Sequence, residues 1–330
     1  MIKKIILLVI ILGLGASAWF GITVASGNGA PAQTFSVAKG QGVNEISREL
    51  YDKGIIKNKF VFETWLWLEK SEGKIVAGVY DFPADMSIRR LKNILVIGPG
   101  NSQRSITLLE GWTRQMMADA LDKNGLSGQS FLALTDDRNL WGNDYDWLSK
   151  LPIGASLEGF IFPDTYYVNN ETTVRDFVIK TLNNFDKKFT PTLRYEIERQ
   201  GRGLFDVITL ASIVEREVPR AADKKMIADI FLKRLEAGIG LQSDATVNYI
   251  TGKGLIQPTA ADLSIDSPYN TYKYRGLPPG PIANPGIDSI EAVIYPTKNN
   301  YYYFLTTKDG EVIYSRTYDE HLANKRKYLD

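Results

Sequence analysis

One irregular stretch constrains the fold of this chain more than any other stretch does. It is the run SPYNTYKYRGLPPGPIANPG at residues 267–286. It holds five of the chain's 14 prolines, together with three glycines and three tyrosines. Proline fixes the backbone angle φ and removes a hydrogen-bond donor, so neither a helix nor a central strand can pass through this run. We therefore expect a long, rigid loop that serves either as a brace between parts of the fold or as an aromatic surface for a ligand.

The N-terminus predicts a membrane anchor. After MIKK, the run from Ile5 to about Ala25 carries no charge and is long enough to cross a bilayer as a helix. Lys3 and Lys4 place the N-terminus in the cytoplasm and the rest of the chain outside it, at the cytoplasmic membrane. The alternative is a cleaved signal peptide, because ASA at 16–18 resembles a cleavage site. The apolar run continues past that site to Ile22, which favours a retained anchor.

The order of predicted elements indicates an α+β protein with four parts. The anchor (1–25) is followed by a small-residue linker (26–33) and then by a βααβ subdomain (34–100). This subdomain resembles the LysM-like modules that bind amino-sugar polymers, although a purely structural subdomain fits the same pattern. Residues 101–330 form a larger mixed α+β domain, without regular βαβ alternation. Near its end, YYYFLTTKDGEVIYS predicts two strands around an Asp-Gly turn.

Composition excludes several classes of function. With 39 basic and 38 acidic residues the net charge is +1, which gives no indication of a nucleic-acid partner. The chain has no cysteine, which excludes thiol nucleophiles, and only one histidine, His321. A Ser-His-Asp triad would depend on that one residue, and a multi-histidine metal site cannot form. We assign His321 no role and expect neither a metal nor a cofactor. Chemistry must come from carboxylates, hydroxyls, amides or lysines.

The stretch LASIVEREV, residues 210–218, places two carboxylates in an apolar helix. With Val207 at zero on a helical wheel, the core-facing stripe includes Leu210 and Val214. Glu215 lies at about 80° and Glu217 at about 280°, so the two are about 160° apart and do not easily share one site. Apolar and small neighbours of Glu215 would leave room for a ligand and favour the protonated acid. In the alternative, both glutamates reach water or pair with Lys and Arg, and geometry alone does not choose between them.

Four ordered motifs together resemble the YceG-like family of endolytic murein transglycosylases. They are LEGFIFPDTYYV, LASIVEREV, LQSDATVNY and SPYNTYKYRGLPPGPIANP, and the resemblance covers essentially the whole chain after the anchor. It implies that Glu215, the glutamate of ASIVE, is the single catalytic acid and base. Where the family often continues with Lys-Glu-Thr, this chain reads Arg216, Glu217 and Val218.

The resemblance also implies an activity. A member would be a membrane-anchored lyase that cuts nascent glycan strands between N-acetylmuramic acid and N-acetylglucosamine without water. It would leave 1,6-anhydro ends and terminate strand elongation, close to the glycan polymerases known as penicillin-binding proteins. The expected partners are peptidoglycan strands and the lipid bilayer. A peptidoglycan-binding scaffold and a hydrolytic muramidase are the alternatives.

Residues in the same motifs are expected to bind the substrate. Tyrosine faces suit stacking on sugar rings, and amides suit hydroxyl or N-acetyl groups. The expected substrate-binding residues are Glu158, Gln242, Ser243, Asp244, Tyr249, Tyr269, Asn270, Thr271 and Tyr272. If Asn270 lines the groove, its replacement by alanine should leave stability within about 1 kcal/mol.

Overall fold

The computed structural model describes residues 15, 17–99, 104–142, 144–169, 171–254 and 258–329. Most of the predicted membrane helix, residues 1–14 and 16, lies outside the described residues. Residues 17–25 are helical. In the part of the chain that is described, none of the helices combines the length and the apolar character needed to span a bilayer. The membrane anchor therefore stays a prediction.

The chain divides into two compact units, and the first holds the described residues up to Arg104 together with 167–172. Its elements are β1 (Gln33–Val37), α1 (Val43–Asp52), α2 (Lys59–Leu68), β2 (Gly78–Phe82) and α3 (Ile88–Ile97). The first four follow the predicted βααβ order. β1 and β2 pair antiparallel, with Phe35 opposite Tyr80, and both side chains are buried in the core of this unit. The likeness to LysM modules stays a prediction.

The second unit holds residues 105–166 and the chain from Thr173 onward. Its helices are α4 (Arg114–Lys123), α5 (Gly128–Thr135), α6 (Val174–Lys188), α7 (Pro191–Arg199), α8 (Leu204–Glu217), α9 (Ala221–Glu236), α10 (Asp244–Thr251), α11 (Ala260–Leu263), α12 (Ile287–Ile294) and α13 (Tyr318–Tyr328). Strand β3 (Arg104–Thr107) pairs with β4 (Thr165–Val168), and β5 (Tyr303–Thr306) pairs with β6 (Val312–Ser315). The α+β class is confirmed, and the hairpin β5–β6 has its turn at Asp309–Gly310, where Gly310 has φ of 80°.

Helix α8 is the centre of the second unit. It packs against α9 and α12, and every residue from Val207 to Val214 is buried. A helix that is apolar all round is an interior helix, whereas the helical wheel described a single core-facing stripe. The prediction of one stripe is therefore wrong, since α8 has neighbours on all sides until its last turn. Its charged residues lie at its two ends, Asp206 in the first turn and Glu215, Arg216 and Glu217 in the last.

The second half of the proline-rich loop is a buried brace against this helix. The backbone N–H of Ile282 donates to the Ser212 hydroxyl of α8 at 3.0 Å. Asn284, which is fully buried, accepts from the N–H groups of Gly159 and Ile161 at 2.9 and 3.0 Å. Its amide donates to the Trp112 carbonyl at 3.0 Å. This part of the loop joins three segments that are distant in sequence.

Candidate active site

Glu215, in the last turn of α8, is a buried and ion-paired carboxylate. The Lys224 ammonium, from the first turn of α9, donates to its two oxygens at 2.9 and 3.1 Å. The Gly286 N–H and the Ser289 hydroxyl donate to Oε2 at 3.0 and 2.7 Å. The Lys224 and Glu215 side chains are only 3% and 7% exposed, so solvent has little access to the pair.

These contacts contradict the predicted surroundings of Glu215. We expected an apolar shoulder with room for a ligand, but four donated hydrogen bonds occupy the carboxylate. Two of the donors, Gly286 and Ser289, belong to the start of α12, where a helix N-terminus favours negative charge. A proton on Glu215 would have to displace one of these donors. The catalytic assignment of Glu215 stays a prediction, while its contacts are those of a structural carboxylate.

A further carboxyl group, that of Glu110, lies against the same joint. A Cβ atom at position 286 would overlap the Glu110 carboxylate, so only glycine allows this close approach. Burial raises the pKa of Glu110, and the negative charge of Glu215 raises it further. The start of α12 is therefore packed tightly against acidic groups.

Glu217, the last residue of α8, has a different environment. Glu217 is intermediate in exposure, as Glu215 is, and the Ser243 hydroxyl donates a hydrogen bond to Oε1. Burial raises the pKa of Glu217 to about 7, and the charge of Asp244 also raises it, while the Ser243 hydrogen bond and the cations Arg234 and Arg216 lower it. A helix C-terminus also disfavours negative charge. A carboxyl group whose pKa lies near neutral pH suits general acid–base chemistry.

The segment before α10 positions Ser243 against Glu217. Gln242 has φ of 50°, which is uncommon for a residue other than glycine, and its side chain accepts from the Arg234 guanidinium at 2.8 Å. The Ser243 N–H donates to the Thr271 hydroxyl at 3.0 Å, and that hydroxyl lies 2.9 Å from the hydroxyl of Thr246. The proline-rich loop therefore holds the segment that contacts Glu217.

Asp244 and Tyr272 form a second polar pair at this site. The Tyr272 hydroxyl donates to Oδ1 of Asp244 at 2.6 Å, and the Tyr272 residue is 37% exposed. Burial raises the pKa of both groups, and the hydrogen bond to Asp244 raises that of Tyr272 further. Gln242, Ser243, Asp244 and Tyr272 are thus gathered around Glu217.

Asn270 and Thr271, which were predicted to bind substrate, are instead buried. Asn270 is fully buried, and its amide donates to the carbonyls of Leu263 and Ile265 at 2.9 Å each. Its side-chain oxygen accepts from the Tyr272 N–H at 3.1 Å. Thr271 is 1% exposed and its hydroxyl contacts Ser243 and Thr246. Their polar atoms hold the loop in place, and direct substrate contact for both stays a prediction.

Glu158, Tyr249 and Tyr269 form a separate cluster. The Glu158 carboxyl is buried and accepts from the Arg114 N–H at 3.0 and 3.1 Å and from the Asn284 amide at 2.7 Å. Burial raises its pKa to about 7, although these donors oppose the shift. The rings of Tyr249 and Tyr269 lie 5.1 Å apart. The substrate role of these residues stays a prediction.

Sequence reasoning missed the residues that arrange the site. Lys224, Arg234 and Asn284 were not singled out, because each acts through a partner that is distant in sequence or in a different element. Within the described residues, no group of three or more His, Cys, Asp or Glu side chains could hold a metal ion. His321 stacks on Tyr303 at 5.6 Å, and burial lowers its pKa.

Fold and site together define a class, a mixed α+β protein in which a carboxyl group with a raised pKa, that of Glu217, lies among hydroxyl, amide and tyrosine groups. Such an arrangement suits acid–base catalysis. The family described as the YceG-like family matches residues 35–327. The chain belongs to that family.

Named relatives and a solved structure agree with this family assignment. A Bacillus subtilis (strain 168) protein called endolytic murein transglycosylase is 33% identical over 89% of this chain and 84% of its own length. A Streptococcus pneumoniae protein of the same name (strain D39) is 30% identical over 90% of this chain, which spans 58% of that protein. The crystal structure of a YceG-like protein from Listeria monocytogenes matches with a TM-score of 0.62 and 31% identity, over 90% of this chain and all of that one.

Breaking the buried pair should destabilise the fold strongly. Lys224→Met leaves Glu215 charged and buried without its cation, so we expect a loss of about 3–5 kcal/mol in the free energy of unfolding. The matched control is Lys273→Met, which removes an exposed partner of Asp266 at 2.9 Å and should cost less than about 1 kcal/mol. Urea unfolding measures both, and equal small losses would show that the Glu215 pair is not structural.

Asn270→Ala should also destabilise the protein. It leaves two carbonyls and one N–H of the loop without a partner, which should cost about 2–4 kcal/mol rather than the small loss expected for a groove residue. Asn183→Ala, which removes one exposed contact to the Tyr145 hydroxyl, is the control and should cost less than about 1 kcal/mol. Thermal unfolding that is unchanged by Asn270→Ala would contradict the brace.

Proposed function

We propose that this protein is a peptidoglycan lytic transglycosylase and that Glu217 is its proton donor and acceptor. The names of the relatives support the reaction. The observation that carries the assignment of the acid is the environment of Glu217, which has one hydroxyl donor, Ser243, among its described hydrogen bonds and a pKa raised to about 7. The ordinary pKa of a glutamate would leave almost none of it protonated at neutral pH.

One carboxyl group can perform both proton transfers. Protonated Glu217 donates to the glycosidic oxygen between N-acetylmuramic acid and N-acetylglucosamine while the bond from that oxygen to the anomeric carbon breaks. The C6 hydroxyl of the muramoyl sugar then attacks the anomeric carbon and gives its proton to the Glu217 carboxylate. The products are a free hydroxyl on one strand and a 1,6-anhydro ring on the other, and no water is consumed.

The contacts favour Glu217 over Glu215 for this role. The acid must hold a proton in the free enzyme and must reach the substrate. The two oxygens of Glu215 accept hydrogen bonds from Lys224, Gly286 and Ser289. Glu217 has a single hydroxyl donor among its described hydrogen bonds, which leaves more of its carboxyl group free for a substrate oxygen. In this proposal, Glu215 anchors the helix that carries the acid.

The location of the activity is part of the same proposal. The uncharged N-terminal run after Lys3 and Lys4 supports a single-pass protein of the cytoplasmic membrane with its bulk outside. At that location the enzyme would cut nascent strands internally, beside the penicillin-binding proteins that make them. The LysM-like unit would then hold the glycan near the membrane.

Paired variants test which glutamate is the acid. Glu217→Gln keeps shape and a hydrogen-bonding amide but cannot exchange a proton, so cleavage of purified glycan should fall by about two orders of magnitude or more with the fold retained. Glu215→Gln weakens the ion pair, so it should lower stability while its folded fraction keeps cleavage within about tenfold. Mass spectrometry of the fragments measures both.

The same spectra test the reaction. Wild-type fragments should end in 1,6-anhydro-muramic acid and be one water lighter than hydrolytic fragments. Reducing ends would make the enzyme a muramidase, and an absence of cleavage would favour a scaffold. Full activity of Glu217→Gln together with an inactive, folded Glu215→Gln would return the role to Glu215.

Glu217→Gln should also stabilise the protein at high pH. A glutamate that titrates at about 4.5 when unfolded and about 7 when folded binds its proton more tightly in the native state. The native state therefore loses stability as the pH rises from 4.5 through 7, and glutamine removes this penalty. We expect the variant to gain about 1–3 kcal/mol over wild type at pH 8 and almost nothing at pH 4. Urea unfolding at the two pH values measures it, and a pH-independent difference would contradict the raised pKa.

A further inference from the structure

The Asp244 carboxylate lies beside the catalytic acid that we assign. Asp244 directly follows Ser243, whose hydroxyl donates to Glu217. The Ser243 hydroxyl therefore contacts the acid, and the Asp244 carboxylate belongs to the next residue of the same segment. The Tyr272 hydroxyl fixes Asp244 through a hydrogen bond of 2.6 Å. The segment itself is held by the Ser243 N–H on the Thr271 hydroxyl.

Asp244 is the negative group among the charges that face Glu217. Arg216 comes from α8 itself, Arg234 from α9 and Asp244 from α10. Arg234 is directed elsewhere, since it donates to Gln242 at 2.8 Å and lies 5.4 Å from the Tyr303 ring centroid.

The groups that face Asp244 itself are few. Lys325 of α13 acts on it from one side, and the Tyr272 hydroxyl donates to it from the proline-rich loop. Tyr272 keeps its own proton, because burial and Asp244 both raise its pKa. The hydrogen bond from Tyr272 therefore supports a negative charge on Asp244 at neutral pH.

We propose that Asp244, held by the Tyr272 hydroxyl, is a positioning residue whose negative charge retains the proton of Glu217 in the free enzyme. The proposal rests on the function assigned to Glu217 above. A like charge nearby makes ionisation of a carboxyl group less favourable, whereas Arg216 and Arg234 act in the opposite direction. Asp244 offsets these two cations.

The same charge serves the second half of the reaction. After Glu217 has donated its proton, a neighbouring negative charge makes its carboxylate a stronger base toward the C6 hydroxyl. It also stabilises the positive charge that develops at the anomeric carbon. Asp244 transfers no proton in this scheme, so its replacement should change the pH dependence more than the maximal rate.

The experiment follows the titration of Glu217 by ¹³C NMR of the side-chain carboxyl groups, using the full chain in detergent without substrate. In Asp244→Asn the titration midpoint of Glu217 should move to lower pH by on the order of one unit. In Asp244→Glu the midpoint should return most of the way to its wild-type value. The control is Asp266→Asn, which removes a carboxylate that also accepts from a tyrosine, Tyr274, at 2.8 Å but is exposed. It should shift the midpoint by less than about 0.2 unit.

Two further readouts complete the test. In the wild type the Glu217 signal should show a second, smaller inflection where Asp244 titrates, which requires no variant to fold. In activity assays the alkaline fall in kcat/KM should move to lower pH in Asp244→Asn by the same amount as the NMR midpoint. An unchanged Glu217 midpoint, or a wild-type curve without the second inflection, overturns the proposal. Because the NMR titration needs no substrate, its failure is distinct from a failure to find transglycosylase activity.

Discussion

The ion pair between Glu215 and Lys224 is the interaction on which the site depends. It joins the end of α8 to the first turn of α9, and the same carboxylate caps the start of α12 through Gly286 and Ser289. A buried pair is costly to form, but it is far costlier to break by removing one partner. Glu215 therefore connects three helices. Glu217, the last residue of α8, lies only two positions beyond it.

The proline-rich loop combines buried and exposed side chains. Asn270 and Asn284 are fully buried and bind backbone groups of other segments, while Tyr272 is partly exposed and bonds to Asp244. The loop is therefore a brace, and the ligand surface that the sequence offered as the alternative stays a prediction for its exposed part. Its rigidity is what allows a tyrosine hydroxyl to hold Asp244 beside Glu217.

The sequence predicted much of this architecture but not the roles of the two glutamates. Hydrophobic periodicity located α8, and the Asp-Gly turn located the hairpin β5–β6, because both signals are local. Tyr272, Gln242, Ser243 and Asp244 were expected to bind substrate at Glu215, and the structure places them near Glu217 instead. Their contact with substrate stays a prediction. The cation that pairs with Glu215 is Lys224 on the next helix. No local sequence pattern indicates which lysine side chain is buried. A wheel that assumes one buried stripe could not describe a helix with neighbours on every side.

The spacing of the two glutamates explains how one helix end serves both purposes. Residues two apart on a helix point about 160° from each other, so one carboxylate can face the interior when the other faces a cleft. The C-terminal end of a helix disfavours negative charge at both positions. At Glu215 the cost is met by Lys224 and the N-terminus of α12. At Glu217 no comparable cation is hydrogen-bonded among the described contacts, and burial raises its pKa to about 7. One helix end therefore holds one carboxylate in an ion pair and a second carboxyl group that retains its proton more strongly than an ordinary glutamate does.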